Sequence, residues 1–475
     1  MSEKKLRRLP LAAAALVTCM SAQADYQSPD GNFRLSGFGT LGAVHSSTND
    51  VYVNYPGQGG GAGTTPSTTP DSKLALQGTY KFTPTISATS QVMLRYTADS
   101  EYYPSVDWAF AKWQAMPALS FRAGRMGAPF FMVSDFRNVG YANIPIRPPL
   151  DVYGLVPTDQ FEGADATYQY NLGSTTFNFN LWGGESIADY RSAINKGATA
   201  LPPSTFELKK QHGINISAEM DNGLTLRAGY SKAKFNLSST SISSLYSAAT
   251  CLGAAAQFGV NTCPLYSSYG LTNTAGMQTA AAGMAAQTIA STDVLATNGK
   301  NISFVDFGFT YDQDAWVVSG EYTKRRSSGF IADTTAWYGL VGYRVAKFTP
   351  YVGLSKISVN SANIAPGSVT PGSVAVVDVN TGTFNAVSQG IAANINSSVQ
   401  SLMDVQKLSQ RTITLGTRWD ISSSLALKFQ WDQIHKPADS WGMFFTKDPS
   451  TTQAQSFLTS RRKVNVLSAS MDFVF

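Results

Sequence analysis

The last strand-length segment of the chain alternates strictly between two kinds of side chain. It reads V-N-V-L-S-A-S-M-D-F-V-F over residues 464–475, with one face apolar and the other mostly polar. A strand of about ten residues with one face for lipid, one for water and aromatics at its end is typical of a transmembrane β-barrel. An ordinary half-buried edge strand alternates in the same way, so the remaining segments have to decide between the two.

The beginning of the chain predicts export. Basic residues at positions 4, 5, 7 and 8 precede an apolar stretch over 9–20 and the small-residue site Ala22-Gln23-Ala24. This order predicts a secretory signal peptide over residues 1–24. The apolar stretch is too short to cross a bilayer as a helix, and the chain has no uninterrupted twenty-residue apolar segment elsewhere. Lipid attachment at Cys19 is an alternative, although Thr18 is a poor match for the small residue expected before it.

The composition and net charge predict that residues 25–475 form one membrane-spanning domain. Charged residues make up 14% of the chain, below the ~25% typical of soluble proteins, and aromatic residues make up 12%. Lipid-facing strands and aromatic girdles shift composition in this direction. The region is nearly neutral and has no charged linker, so we expect neither a domain boundary nor a nucleic-acid partner.

Amphipathic segments recur sixteen times along this domain, and short links alternate with long ones. The segments lie near 32–45, 72–82, 85–97, 105–115, 118–126, 161–171, 174–184, 209–219, 223–235, 300–312, 314–326, 333–346, 347–358, 408–420, 422–434 and 462–475. Tight turns are predicted at 83–84, 172–173, 221–222, 313 and 421. Short turns on one side and long loops on the other predict an all-β, sixteen-stranded antiparallel up-and-down barrel. Because sixteen strands enclose too wide a lumen to fill with wall side chains, the polar face points inward around a water-filled pore.

Three sequence motifs carry a resemblance to a known family. These are F-R-L-S-G-F-G-T-L-G at 33–42, F-R-A-G-R at 121–125, and the terminal Phe475. Together they resemble the Gram-negative general porins of the outer membrane. The resemblance implies a homotrimer, passive diffusion of small hydrophilic solutes and ions, no cofactor, a third loop folded into the barrel, and recognition of Phe475 by the outer-membrane assembly machinery.

Small outward-facing residues on the first barrel strand favour a trimer independently of the family resemblance. Gly37, Gly39 and Ala43 share a face, and Ala469 of the closing strand lies beside them. Small residues allow another subunit to approach closely. Glycines that relieve strain in a curved sheet are the alternative explanation.

The proposed constriction loop covers residues 127–160 and is rich in aromatic residues and proline. Such a segment is suited to pack inside the barrel wall in a fixed shape. Its acids are predicted to face basic residues of the wall across an eyelet, although the family's Pro-Glu-Phe-Gly loop motif is missing. The predicted constriction residues are Arg34, Arg95, Arg122, Arg125, Asp135, Asp151 and Asp159. Strand parity leaves open whether the pore prefers anions or cations.

Two further loops, 236–299 and 359–407, are predicted to be long and extracellular. The first contains Cys251 and Cys263, which we expect to form a disulfide in an oxidising compartment. Two thiols without nearby histidines fall short of a metal site. The second carries apolar residues at helical spacing over 391–402, which favours a short amphipathic helix. Basic clusters at 324–326 and 461–463 either bind lipopolysaccharide phosphates at the lipid surface or end strands in solvent.

An enzymatic barrel and a substrate-specific channel are the two alternatives to a general porin. An enzymatic barrel, such as an outer-membrane lipase or protease, needs a positioned base, yet His45, His212 and His435 fall at separate strand ends without a serine-nucleophile signature. No catalytic residue is therefore predicted. A substrate-specific channel for a small organic or inorganic anion or a sugar is the closer alternative, because the third loop is stiff and the insertions are long.

Overall fold

A computed structural model describes residues 26–190, 204–295, 297–361, 368–446 and 451–475. The predicted signal peptide and Cys19 lie outside these described residues. Sixteen strands each pair antiparallel with their sequence neighbours, and the last pairs antiparallel with the first, so the barrel is closed. The two-residue strand β1 pairs with β2 just inside the N-terminal end of the described chain.

The strands are long and regular. Their bounds are β1 Tyr26–Gln27, β2 Phe33–Ser46, β3 Lys73–Lys81, β4 Ile86–Tyr96, β5 Tyr102–Met116, β6 Leu119–Gly127, β7 Gln160–Leu172, β8 Thr175–Tyr190, β9 Ser204–Met220, β10 Leu224–Ser238, β11 Lys300–Gln313, β12 Trp316–Ser327, β13 Asp333–Tyr343, β14 Phe348–Ser361, β15 Gln410–Ser422, β16 Leu425–Lys436 and β17 Arg462–Val474. The predicted sixteen-stranded fold is confirmed. Three predicted turns are displaced by one or two residues, because Leu172, Gln313 and Ile421 still belong to strands.

The outer wall is apolar and carries a girdle of aromatic pairs. Leu, Ile, Val and Phe side chains of alternating strand positions are exposed on the outside, among them Leu94, Leu181 and Phe307. Ring pairs gather at the end of the barrel that has the short turns: Tyr80–Phe82 at 5.0 Å, Trp113–Phe121 at 5.6 Å, Trp316–Tyr343 at 4.8 Å and Phe348–Trp419 at 5.6 Å between centroids. An apolar band with an aromatic girdle on a closed barrel is the surface of an outer-membrane protein.

The long external loops contain helices. These are α1 Leu150–Tyr153, α2 Thr240–Phe258, α3 Pro264–Ser267, α4 Ala275–Leu295, α5 Val379–Asp404 and α6 Thr452–Thr459. None of the helices in the described ranges is long and apolar enough to cross a membrane. Helix α5 contains the predicted 391–402 segment, but it is much longer because Asp378 and Thr381 form a capping box at its start.

The helices of the two longest loops pack into one cap over the barrel. Tyr266 of α3 stacks on Phe384 of α5 at 5.3 Å, and its hydroxyl hydrogen-bonds Ser388 at 3.0 Å. Cys251 and Cys263 are joined by the predicted disulfide, which ties α2 to the segment before α3. The cap's buried side chains and those of residues 128–156 belong to one hydrophobic cluster. The loops therefore cover the barrel mouth and share a core with the third loop.

Candidate functional site

The third external loop, residues 128–159, runs through the interior of the barrel. Lys428 of β16 anchors its middle: the ammonium group donates to the carbonyl oxygens of Gly140 at 2.6 Å, Asn143 at 2.7 Å and Pro145 at 3.1 Å. The same nitrogen lies 3.1 Å from a carboxylate oxygen of Asp472, and both side chains are completely buried. A charge buried this deeply needs such a full set of partners.

Other wall residues hold further parts of the loop. Glu321 of β12 accepts hydrogen bonds from the Met132 backbone N–H at 3.0 Å and from the Tyr153 hydroxyl at 2.8 Å. Arg418 of β15 donates to the Tyr141 carbonyl at 2.6 Å and lies 4.6 Å from the Tyr141 ring centroid. The loop is therefore held against the β10–β17 side of the wall, and the polar space in the barrel lies along β3–β9.

This polar space narrows to a neck. On the external side a cavity of about 690 Å³ is lined by the ends of β3–β9 and by the third loop. A much smaller space of about 10 Å³ lies beyond it, lined by Trp108 and Asp135 among others. Asn138, Asp159 and Gln160 line both spaces, so they stand where the two meet.

The neck is built from an ion pair and a hydrogen-bonded network. Arg95 of β4 lies 2.8 Å from Asp159 at the end of the loop and 3.4 Å from Asp107 of β5. Asn138 donates to Asp159 at 3.2 Å, and Gln160 donates to Asp107 at 3.0 Å. Together these contacts connect two wall strands, the middle and the end of the loop, and the start of β7.

Asp107 is a neck residue that strand alternation misses. In the register of β4 with β5, Gln91 is opposite Trp108 and Val92 is opposite Val106, so Asp107 is the extra residue of a β-bulge. The bulge turns its carboxylate inward, where it is 2% exposed. A run of residues contains no direct signal for a bulge, so regular alternation assigns Asp107 to the lipid side.

The electrostatics of the neck keep Asp159 ionised. Burial acts to raise the pKa of this carboxyl, but the guanidinium groups of Arg95 and Arg137, with hydrogen bonds from Arg95 and Asn138, hold the pKa well below its ordinary value. The loop end therefore carries a negative charge at the neck. Arg137 was not singled out in the sequence, because its place beside the neck depends on the path of the loop.

A closed barrel of sixteen antiparallel strands, with its third external loop folded inside against the wall, is a specific arrangement. The fold is that of a porin. Its outer surface, its short turns on one side and its internal loop all agree with the family resemblance of the sequence.

Comparison with known proteins gives similarity in structure only. No protein-family model matches the chain. No curated protein matches it either. Solved structures similar to the porin barrel include Salmonella typhi OmpF, with 11% identity, a TM-score of 0.48, and coverage of 95% of this chain and 100% of that one. A second is an anion-selective porin from Comamonas acidovorans, with 11% identity, a TM-score of 0.45, and coverage of 93% of this chain and 99% of that one. A third is the outer-membrane channel DcaP of Acinetobacter baumannii, with 9% identity, a TM-score of 0.44, and coverage of 95% of this chain and 100% of that one. Identities this low do not transfer function.

The structure brings only some of the predicted constriction residues together. Arg95 and Asp159 meet at the neck, and Asp135 lies just beyond it in the smaller space. Arg122 pairs with Asp165 within the wall and lies 5.5 Å from the Phe110 ring centroid.

Two predicted arginines lie away from the neck. Arg125 pairs with Glu162 and donates to the Val106 carbonyl at 2.9 Å, in the wall of the external cavity. Arg34 is exposed near the start of β2, six residues before Thr40, where the loop reaches this strand. At the rise of a strand this separation is about 20 Å, so Arg34 belongs to the periplasmic end of the lumen.

Asp151 does not face a wall arginine, and that prediction is corrected. Its carboxylate is 2% exposed and accepts hydrogen bonds from Ser355 of β14 and from Gln410 of β15, the latter at 2.8 Å. Burial raises the pKa of this group. Asp151 is an anchor of the loop on the side of the barrel opposite the neck, because helix α1 turns it toward β14 and β15.

The basic residues at the external strand ends do not all lie on the surface as the sequence predicts. Arg325, in the middle of 324–326, points inward and donates to the carbonyl oxygens of Leu155 at 2.6 Å and Ala332 at 3.2 Å. This residue therefore positions the third loop and is not part of a surface cluster. In the second cluster, Arg462 donates to Ser456 of α6 at 3.0 Å, while Arg461 and Lys463 are exposed.

Among the described residues, no group of three or more His, Cys, Asp or Glu side chains is arranged to hold a metal ion. The three histidines lie on different strands, His45 on β2, His212 on β9 and His435 on β16. Charged and amide side chains line the polar space.

Acidic side chains outnumber basic ones along the polar space. The external cavity is lined by five basic and seven acidic side chains: Lys73, Arg95, Arg125, Arg137 and Lys209, with Asp71, Asp99, Asp159, Glu162, Glu185, Asp189 and Glu207. The small space beyond it is lined by three acids, Asp107, Asp135 and Asp159, and by no lysine or arginine. Fixed charges of one sign along a narrow passage concentrate the opposite ion.

Proposed function

We propose that the protein is an outer-membrane porin through which small hydrophilic solutes and ions diffuse passively, as a homotrimer and with a preference for cations. The observation that carries the proposal is the polar route between the third loop and strands β3–β9. It runs from an external cavity to a neck at Arg95, Asn138 and Asp159, and acids outnumber bases along it. The narrow neck favours small ions and a small unit conductance.

The test is the reversal potential of the reconstituted protein in a planar bilayer under a salt gradient. The wild type is expected to pass cations in preference to anions. Asp159→Asn removes the neck carboxylate and leaves the Arg95 charge, so the preference is expected to move toward anions. A unit charge about 4 Å from an ion in water is worth about 1 kcal/mol, which is a change of roughly fivefold in the permeability ratio.

Asp221→Asn is the matched control, because it removes an equal charge at an exposed turn on the periplasmic side. The control is expected to keep the wild-type reversal potential. A wild type that prefers anions, or an Asp159→Asn variant that keeps the wild-type ratio, contradicts the proposed role of the neck. Complete absence of conductance contradicts the channel itself.

A homotrimer is supported by the outer surface of the closing strands. Ala43 and Ala469, with Leu415, Phe429 and Leu467 around them, line an apolar concavity of about 650 Å³ on the outside of the wall. Small residues in a lipid-facing concavity allow close contact with another barrel. In the bilayer recording, closure in three equal steps is the expected sign of three pores.

The remaining membrane partners are part of the same proposal. Arg461 and Lys463 are exposed at an external strand end, where phosphates of lipopolysaccharide lie in an outer membrane. Phe475 as an assembly signal requires an accessible C-terminus. In the folded barrel its ring covers Gly37, so recognition by the assembly machinery has to precede closure.

A substrate-specific channel is the second candidate, and the helical cap favours it. The cap and the third loop share one hydrophobic cluster, which narrows access from outside. A dedicated channel would show flux that saturates at low solute concentration and current that one solute blocks. A general porin would pass many small solutes in proportion to their concentration.

A further inference from the structure

Four basic side chains, called the outer basic row below, lie side by side across strands β14–β17. Lys356 of β14 is opposite Arg411 of β15, and Arg411 is opposite His435 of β16. His435 is in turn opposite Lys463 of β17. Residues directly opposite each other on one face of a sheet have Cβ atoms about 5 Å apart. The row is therefore continuous, although its members are far apart in sequence.

The outer basic row faces lipid and not the lumen. Side chains at every second position of a strand share a face, so Arg411 lies on the same side of β15 as Leu415. By the same rule Lys463 lies on the same side of β17 as Leu467. Leu415 and Leu467 are exposed on the outside of the barrel. Lys356, Arg411 and Lys463 are exposed as well.

The row also lies at the external edge of the apolar band. Arg411 and Lys463 are each the second residue of a strand that begins on the external side, and His435 is the last but one of β16. Trp419, in the aromatic girdle at the short-turn end, is eight residues beyond Arg411 on β15. On a tilted strand this separation is about 20 Å along the membrane normal. The apolar band of outer-membrane barrels is about 25 Å tall, so the row lies at the level of the outer head groups.

No acidic side chain balances this row within the described part of the chain. The charged groups of Lys356, Arg411 and Lys463 form no ion pair there. Like charges directly opposite each other destabilise a sheet, and an anion bound across them removes that repulsion. The adjacent positions on the same face of the four strands carry no carboxylate: they are Leu354, Ser358, Ile413, Gln433 and Asn465.

We propose that the outer basic row binds the phosphate groups of lipid A, the sugar-linked lipid of lipopolysaccharide. The guanidinium of Arg411 is suited to a bidentate contact with one phosphate, and the ammonium groups of Lys356 and Lys463 add charge on either side. Four neighbouring strands span about 14 Å, which accommodates a head group with a phosphate at each end. The inference rests on the proposed function in that it names a binding site for lipopolysaccharide, and of this row only Lys463 belongs to the basic clusters of the sequence.

The row leaves the proposed subunit contact free. Leu467, in the wall of the outer concavity, is four residues beyond Lys463 on the same face of β17. This places the concavity about 13 Å farther along the strand toward the periplasm. A lipid held by the row therefore lies at the external rim of that contact.

The test is native mass spectrometry of the purified protein in detergent, titrated with diphosphoryl lipid A. Monophosphoryl lipid A tests the dependence on phosphate, and phosphatidylcholine gives the background of non-specific lipid. The wild type is expected to bind diphosphoryl lipid A saturably and monophosphoryl lipid A at least tenfold more weakly. Lys356→Gln combined with Arg411→Gln is expected to lower the affinity for diphosphoryl lipid A at least tenfold, the effect of losing charge-assisted hydrogen bonds.

The matched control is Lys81→Gln combined with Lys347→Gln, which removes an equal charge from exposed residues at the short-turn end. It is expected to keep the wild-type affinity. Equal binding by the wild type and the Lys356–Arg411 variant, or equal binding of diphosphoryl lipid A and phosphatidylcholine, overturns the proposal. Displacement of lipid A by millimolar inorganic phosphate overturns it too, because the row would then be a site for free phosphate.

The result is independent of the bilayer test of the channel. Lipid binding in detergent does not require the pore to conduct, so a protein that binds lipid A and passes no current contradicts the channel alone. A protein that conducts and does not bind lipid A contradicts only the outer basic row.

Discussion

Gly37 and Gly39 on β2 show how single residues close the barrel. The rings of Phe475 and Phe473 lie over these glycines, in the space that any side chain there would need. The two rings are 6.2 Å apart and nearly parallel. Aromatic side chains that cover glycines on the neighbouring strand stabilise a pair of strands. This packing within one chain accounts for the glycines without a subunit contact and without strain relief.

Gly39→Val is expected to lower the free energy of unfolding by about 1–3 kcal/mol, because the new side chain overlaps the Phe473 ring. Urea unfolding in lipid measures the change. Gly339→Val, on β13, is the control, since the space around a new Cβ there is open. Adding Phe473→Ala to Gly39→Val should recover part of the loss, and a purely additive double variant would contradict the ring–glycine contact.

Among the neck carboxyl groups, Asp159 is the one whose response to pH is predicted. The folded pKa of Asp159 is lowered, so its stabilising pair with Arg95 is complete above the unfolded pKa and is lost as pH falls through the folded one. The unfolded pKa of Asp is ~3.9. The pair is therefore expected to persist across about pH 5 to pH 8.

The ion preference contributed by Asp159 is accordingly expected to stay constant over this range. Reversal potentials of the wild type and Asp159→Asn, measured at both ends of the range, should differ by the same amount. A difference that disappears near pH 5 would show that Asp159 has a raised pKa.

The third loop is the element on which the lumen depends. Contacts from β12, β14, β15 and β16 hold it along one side of the wall, and most of them are buried charges or amides. Such an anchored loop has one fixed path. The neck forms on the opposite side, where Asn138 and the end of the loop at Asp159 lie beside β4 and β5.

Lys428→Met is expected to free this loop. The substitution leaves Asp472 and three carbonyl oxygens buried without their shared donor, at a cost of about 3–5 kcal/mol. Hydrogen exchange across residues 136–146 is expected to quicken, and the unit conductance is expected to change. Lys112→Met, at a half-exposed lysine on β5, is the control. Unchanged exchange in Lys428→Met would contradict the anchoring role.

For the whole molecule, the barrel and the cap are stabilised in different ways. The barrel rests on a closed ladder of strand pairs, whereas the cap rests on helix packing and on the Cys251–Cys263 disulfide. Loss of the cap should therefore leave the ladder intact.

Replacing both cysteines by serine is expected to lower the stability of the cap by roughly 3 kcal/mol on the chain-entropy estimate for a loop of this size. Chymotrypsin should then cleave within residues 240–295 faster than in the wild type, while the β-sheet signal in circular dichroism stays the same. Loss of that signal would show that the barrel depends on the cap.

The strands could be predicted because their signal is local. A strand between lipid and water needs an apolar residue at every second position, so about a dozen residues of sequence are enough to predict β10 or β17. The spacing of the turns predicts the number of strands and also predicts that the long loops all lie on one side of the barrel. The disulfide and the presence of a helix around 391–402 followed from equally local patterns.

The neck was decided only by tertiary structure. Arg95 and Asp159 are 64 residues apart, and Lys428 and Gly140 are 288 apart, so no window of sequence contains either pair. Asp107 lies at the neck because a β-bulge turns its side chain inward. Asp151 lies away from the neck because it belongs to a short helix. Strand alternation gives the face on which a side chain lies, but only the path of the chain through the lumen gives its partner, because that path depends on buried charges from distant strands.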